Sequence, residues 1–258
     1  MQQWLKLVRM AAQVTLLAPL PPEITGISIA ARYRSATPGA SAGGDLYEVI
    51  STGHGIRVII GDVRGKGLDA TVLARHVLSA FRRSAAAVPA LEHLADEVNQ
   101  AIRPHLGEED FVTAALAQIA PSGELTMVSC GHHPPLLRHG GGLQPLTGRT
   151  ADLPLGLADD FTAFTASWRP GDRLLLYTDG LVESRNQHGD FFSRRPDRHG
   201  SCRGRLRPGA ECAGDRRAPA HRRSPPRRHG DPAAGIPAQP SKPRTRHEAF
   251  TLQHRSPN

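Results

Sequence analysis

The sequence predicts an α+β layered domain followed by a tail of different character. Three observations predict it. Short apolar or alternating runs, bounded by glycine and proline turns, fill the first part of the chain. Two helical stretches follow, and strand-like runs return after residue 110, which is not the regular βαβ alternation of a parallel sheet. Beyond residue 192 the aliphatic residues nearly vanish.

The elements follow in order. Trp4, Leu5, Leu7, Val8, Ala11, Ala12 and Val14 fall at helical spacing, and Pro19, Pro21 and Pro22 stop that helix. Residues 1–18 therefore read either as a connector from an upstream sensor domain or as a helix packed on its own domain. Residues 24–33 alternate as a strand, and 35–42 form a loop of Pro, Gly, Ser and Ala. Residues 45–50 and 56–60 are two strands joined by the turn Thr52-Gly53-His54-Gly55. The second is nearly all apolar, which predicts burial on both faces. Residues 68–87 carry an apolar stripe through Leu68, Val72, Leu78 and Phe81, and Pro89 opens a second helix reaching Ile102. Residues 111–119 and 125–129 form another hairpin about Pro121-Ser122-Gly123, and shorter strands are expected at 135–137, 161–168 and 172–178.

Charge divides the chain at the same place. The formal net charge is +8, but residues 1–192 hold 16 Lys+Arg against 19 Asp+Glu, and residues 193–258 hold 16 against 5. The body that folds is mildly acidic. The basic tail lacks the interleaved aromatics that stack on bases, so no specific nucleic acid is expected as a partner. Three cysteines, with Cys202 and Cys212 near His199 and His221, match neither a disulfide framework nor a zinc finger, and fit a cytoplasmic setting. No apolar run is long enough to predict a membrane span, and the N-terminus lacks the pattern of a signal peptide.

The chemistry rests on three aspartates, each in a glycine-bearing turn at a strand end. They are Asp45 in Gly43-Gly44-Asp45, Asp62 in Gly61-Asp62-Val63-Arg64-Gly65-Lys66-Gly67, and Asp179 in Tyr177-Thr178-Asp179-Gly180. An antiparallel hairpin makes Asp45 and Asp62 neighbours although 17 positions separate them. Carboxylate oxygens in such turns suit hard cations such as Mg²⁺ and Mn²⁺. Gly65-Lys66-Gly67 lacks the spacing and the Ser/Thr of a nucleotide-binding loop. Arg64 and Lys66 read as solvated charges that could also attract a phosphoprotein. His132 and His133 are adjacent, so on a strand they point to opposite faces, and the segment reads as a structural turn. Asp159 and Asp160 read as surface loop.

From about residue 16 to 192 these motifs resemble the PPM family of metal-dependent protein phosphatases, in its bacterial SpoIIE-like and RsbU-like serine phosphatase branch. The resemblance also includes Ala30-Ala31-Arg32-Tyr33, Phe111-Val112-Thr113-Ala114, Gly131-His132-His133-Pro134-Pro135 and Leu153-Pro154-Leu155-Gly156. It implies an α-β-β-α sandwich over residues 19–192. It implies that Asp62 bridges two Mg²⁺ or Mn²⁺ ions, that Asp45 and the Val63 carbonyl bind one, and that Asp179 binds the other. It also implies a shared water, activated by cations about 3.5–4 Å apart, that attacks phosphorus in line without a Ser or Cys nucleophile. The substrate so implied is a phosphoserine on a STAS-type anti-sigma factor antagonist in a partner-switching pathway.

One departure stands out. The family ends with an Asp-Asp pair just before its last apolar strand, and no such pair follows Phe192; Asp197, Asp215 and Asp231 sit among Arg, Pro and Gly. The expectation is a fold incomplete at its C-terminal end, with an open sheet edge and a disordered basic tail at 193–258. A change of reading frame near residues 192–194 gives this composition, and resequencing the locus tests it. A chain lacking that ligand could also be an inactive pseudophosphatase that only binds its partner.

Overall fold

In the computed structural model, which describes residues 20–34, 44–65, 68–140, 142–149, 152–182 and 247–254, the expected central hairpin is present. Strands β3 (Leu46–Thr52) and β4 (Gly55–Val63) pair antiparallel, from Leu46↔Gly61 to Thr52↔Gly55. The Thr52 hydroxyl closes the turn, donating to the Gly55 carbonyl at 2.9 Å and accepting from the His54 N–H at 3.1 Å. β4 pairs on its other side with β5 (Val112–Ile119), followed across the sheet by β6 (Leu125–Cys130) and β9 (Ala163–Ala166), giving a five-stranded antiparallel sheet.

β4 is buried on both faces, as its composition predicts. Ile59 and Val63 join the cluster beneath the helices, while Ile56, Val58 and Ile60 join a second cluster toward the other sheet. Helices α1 (Leu68–Ser84) and α2 (Leu91–Ile102) cover the first face with Leu73, Val77 and Phe81 and with Leu94, Val98 and Ile102. α1 ends three residues before the expected 87. The connection folds instead around Arg57, whose guanidinium, wholly buried, donates to the carbonyls of Ala85, Val88 and Pro89 and to Gln118 Oε1. These carbonyls lie in the α1–α2 connection, past the end of α1, and a buried carbonyl without a partner is costly, so the guanidinium satisfies them. Burial lowers the Arg57 pKa from its ordinary value.

The second sheet has six strands, ordered β1 (Glu23–Ile24), β2 (Ile27–Arg34), β11 (His247–His254), β10 (Arg173–Tyr177), β7 (Leu136–His139) and β8 (Gly142–Pro145). Ile29, Leu137, Leu174, Leu176 and Leu252 pack against the first sheet. On the outer face Leu136, Leu175 and Tyr177 form a smaller cluster with Leu143 and Leu181. Leu181 belongs to α3 (Asp179–Val182), the described part of the outer helical layer of an α-β-β-α sandwich. Among the described residues no helix is long and apolar enough to cross a membrane.

The expectation that folding stops near residue 192, leaving an open edge, is corrected by β11. This strand comes from the basic tail and lies between β2 and β10, in register Leu252↔Ile29 and Leu252↔Leu174. Its Leu252 is fully buried. Phe250 and Leu252 stand two apart, a strand signal that the composition of the preceding fifty-odd residues masks. The family resemblance calls for Asp-Asp just before this strand, and the sequence there reads Thr245-Arg246. The expected helix at 1–18, the rest of the tail with its Cys202 and Cys212, and Lys66 lie outside the described residues.

Candidate functional site

The register of the central hairpin, Leu46↔Gly61, sets Asp45 opposite Asp62 at the open end of the ladder. Asp62 follows Val58 and Ile60 at alternate positions, so it shares their face toward the second sheet. From that sheet comes Asp179, in the first turn of α3 directly after β10. One carboxylate oxygen from each of Asp45, Asp62 and Asp179 lies within 4.8 Å of the others. Asp45 is buried, Asp62 half-buried and Asp179 exposed, so the cluster is anchored at one side and open to solvent at the other. Three carboxylates this close repel one another unless a cation lies among them. The donor set is all oxygen, which fits Mg²⁺ or Mn²⁺ rather than a thiophilic metal.

The glycines beside these aspartates have a steric reason. The Val63 N–H donates to the Gly44 carbonyl at 3.1 Å, and a Cβ on Gly44 would fall 2.4 Å from the Val63 carbonyl oxygen. Only glycine lets the strand bearing Asp45 approach the Val63 carbonyl this closely.

The His132–His133 segment is a turn, yet it reaches the site. Gly131, at φ +67°, bridges to Ala114 and redirects the chain from β6 toward β7, across the two sheets. The ring of His132 then spans the gap, with Nδ1 3.2 Å from the Thr113 hydroxyl and Nε2 3.0 Å from the Tyr177 carbonyl. Burial, and secondarily the neighbouring His133, push the His132 pKa down to about 4 against the opposing effect of the Tyr177 carbonyl. His133 goes elsewhere, stacking on the Tyr177 ring at 5.9 Å. Neither histidine belongs to the carboxylate cluster.

Beside Val63 lies a cleft of about 470 Å³ lined in part by Arg64, Asp69, His76, His105 and Asp110. The rings of His76 and His105 stack 3.6 Å apart, and burial followed by the charges of His105, Arg75 and Arg83 lowers the His76 pKa. Arg64 is held at the rim, donating to the Glu109 carbonyl at 2.8 Å, pairing with its carboxylate at 3.3 Å and lying over Phe111. The ion pair is exposed and contributes little to stability. On the far side, Leu155 bridges Val112, and the Asn99 carboxamide accepts from the Gly156 N–H while donating to the Ala158 carbonyl. That accounts for the Leu153-Pro154-Leu155-Gly156 motif as a loop pinned to α2 and β5.

Sequence reasoning read His132 only as part of a structural turn and passed over Arg57, because both draw their partners from elements brought together only by the tertiary fold.

Residues 52–212 match the sequence model of the family described as Stage II sporulation protein E (SpoIIE). Phosphoserine phosphatase RsbU of Bacillus subtilis (strain 168) is 25% identical over 188 residues, which cover 72% of this chain and 55% of that protein. Phosphoserine phosphatase RsbP of the same organism is 27% identical over 148 residues, covering 54% of this chain and 36% of that protein. The chain thus spans about half the length, or less, of these curated relatives. The crystal structure of the RsbU and RsbW domains of Rv1364c from Mycobacterium tuberculosis matches with a TM-score of 0.57 at 28% identity, over 63% of this chain and 47% of that one. The SiaA-PP2C domain of Pseudomonas aeruginosa has the same fold, with a TM-score of 0.56 at 21% identity over 74% and 76% of the two chains. With more than half of its length matched by the family model, the chain belongs to the SpoIIE family.

Proposed function

We propose that this chain is a metal-dependent phosphoserine phosphatase that acts in the cytoplasm on a phosphorylated regulatory protein. The observation that carries it is the convergence of Asp45, Asp62 and Asp179, from two different sheets, within 4.8 Å. Membership of a family whose relatives include proteins named phosphoserine phosphatases supports it. Asp62 would bridge two Mg²⁺ or Mn²⁺ ions, with Asp45 and the Val63 carbonyl on one and Asp179 on the other. When bound, such a pair lowers the pKa of a coordinated water and polarises phosphoryl oxygens. The residues of the chain set the rest of the chemistry. Buried Asp45 fixes the inner side of the cluster, and exposed Asp179 leaves the outer side accessible to a phosphoserine on a protein surface. The substrate class proposed is a STAS-type anti-sigma factor antagonist in partner switching, supported by the presence of RsbU and RsbW domains in one protein, Rv1364c of Mycobacterium tuberculosis.

The test uses the full chain with Mn²⁺ and either p-nitrophenyl phosphate or a phosphoserine peptide. Chelation should abolish hydrolysis, Mn²⁺ should restore it, and Asp62→Asn should lower kcat by about a hundredfold or more. One observation favours a second reading, a pseudophosphatase that binds its partner without turnover: Thr245-Arg246, not Asp-Asp, immediately precedes β11. A chain that binds Mn²⁺ but leaves both substrates intact would establish that second reading.

A further inference from the structure

We infer that His132 is a positioning residue that holds the two halves of the carboxylate cluster at their working separation, a role that rests on the phosphatase reading above. Asp45 and Asp62 are fixed to each other by the β3–β4 ladder. Asp179 is not, because it follows β10, which belongs to the other sheet and shares no hydrogen-bonded register with β4 or β5. Its distance from Asp62 depends on how the sheets face each other. Sheet-on-sheet packing through aliphatic side chains is non-directional and does not by itself set that distance finely.

His132 supplies a directional link at this point. It lies on the β6–β7 connection, which crosses from the five-stranded to the six-stranded sheet. Thr113, its partner through Nδ1, is the register partner of Asp62, and the Thr113 hydroxyl also lies 3.4 Å from the Asp62 carbonyl. Tyr177, its partner through Nε2, stands two residues before Asp179. A carbonyl only accepts, so Nε2 carries the proton and donates to Tyr177. The neutral ring then has Nδ1 free to accept from the Thr113 hydroxyl. The result is an oriented chain, Thr113 to His132 to Tyr177, that runs from the Asp62 side to the Asp179 side. It orders the same gap that a bridging metal pair has to span.

The test compares wild type, His132→Ala, His132→Gln and Thr113→Val in the full chain. Two readouts are taken: amide hydrogen exchange without metal, and Mn²⁺ affinity by calorimetry. His132→Ala should speed exchange at residues 178–182 by about tenfold, with β4 and β5 unchanged, and should weaken Mn²⁺ binding by a similar factor. His132→Gln, whose amide can still donate to Tyr177, should recover most of both effects. Thr113→Val removes only the hydroxyl at the other end, and it serves as the decisive variant if His132→Ala does not fold. Unchanged exchange at 178–182 in the folded variants would overturn the inference, whether or not the wild type hydrolyses phosphoserine. A wild type without phosphatase activity, combined with the expected exchange and Mn²⁺ changes, would sink the enzymatic reading and leave the positioning role standing.

Discussion

His132 touches both sheets by polar contacts beside the carboxylates. Its pKa sits near 4 in the folded chain, against 6.5 for an unperturbed imidazole. Above pH about 6.5 both folded and unfolded chains hold it neutral, and its titration leaves stability unaffected. As the pH falls below that value the unfolded chain takes up a proton that the folded chain refuses, so stability drops until about pH 4 and then levels off. Between pH 7 and 4.5 the wild type should lose about 2 kcal/mol more than His132→Gln, read from urea unfolding midpoints. At this scale the sequence was partly legible. The proximity of Asp45 and Asp62 follows from a two-strand turn and can be reasoned from spacing alone, whereas Asp179 joins them only by family resemblance. Arg57 could not be anticipated, because a buried guanidinium in an apolar strand makes sense only once three carbonyls from the α1–α2 connection surround it.

Among the elements, β11 is the link between two strands of the second sheet. It pairs with β2 over eight register positions and with β10 over five, and without it those two strands have no pairing with each other. Leu252→Ala removes a fully buried side chain from between the sheets and should cost about 2–4 kcal/mol in urea unfolding. Ending the chain after residue 246 should be worse, since it leaves two bare strand edges over an exposed apolar face, and size-exclusion chromatography should show aggregates. The hairpins and both helices were legible in period and turn residues. β11 was not, because its pattern spans only two large apolar residues inside a segment dominated by Arg, Pro and Gly, where composition outweighs a short alternation.

For the molecule as a whole, the layered arrangement was legible from the order strands, helices, strands, while the pairing of sheets that makes the site was not. The carboxylates come from both sheets, so a cation among them ties the layers together. Mn²⁺ at a hundred times its dissociation constant should add about 2.7 kcal/mol to stability and raise the melting temperature by about 5 °C or more, a gain that Asp179→Asn should largely remove. Scanning calorimetry with and without chelator measures it. The central place of β11 also governs assembly. About seventy residues separate β10 from β11 along the chain. At roughly 5–20 residues per second a ribosome needs several seconds to emit them, and throughout that interval β2 and β10 lack the neighbour they share. The nascent chain must therefore wait, exposed to chaperones and proteases, and the domain becomes complete only after translation has passed its most basic and proline-rich stretch.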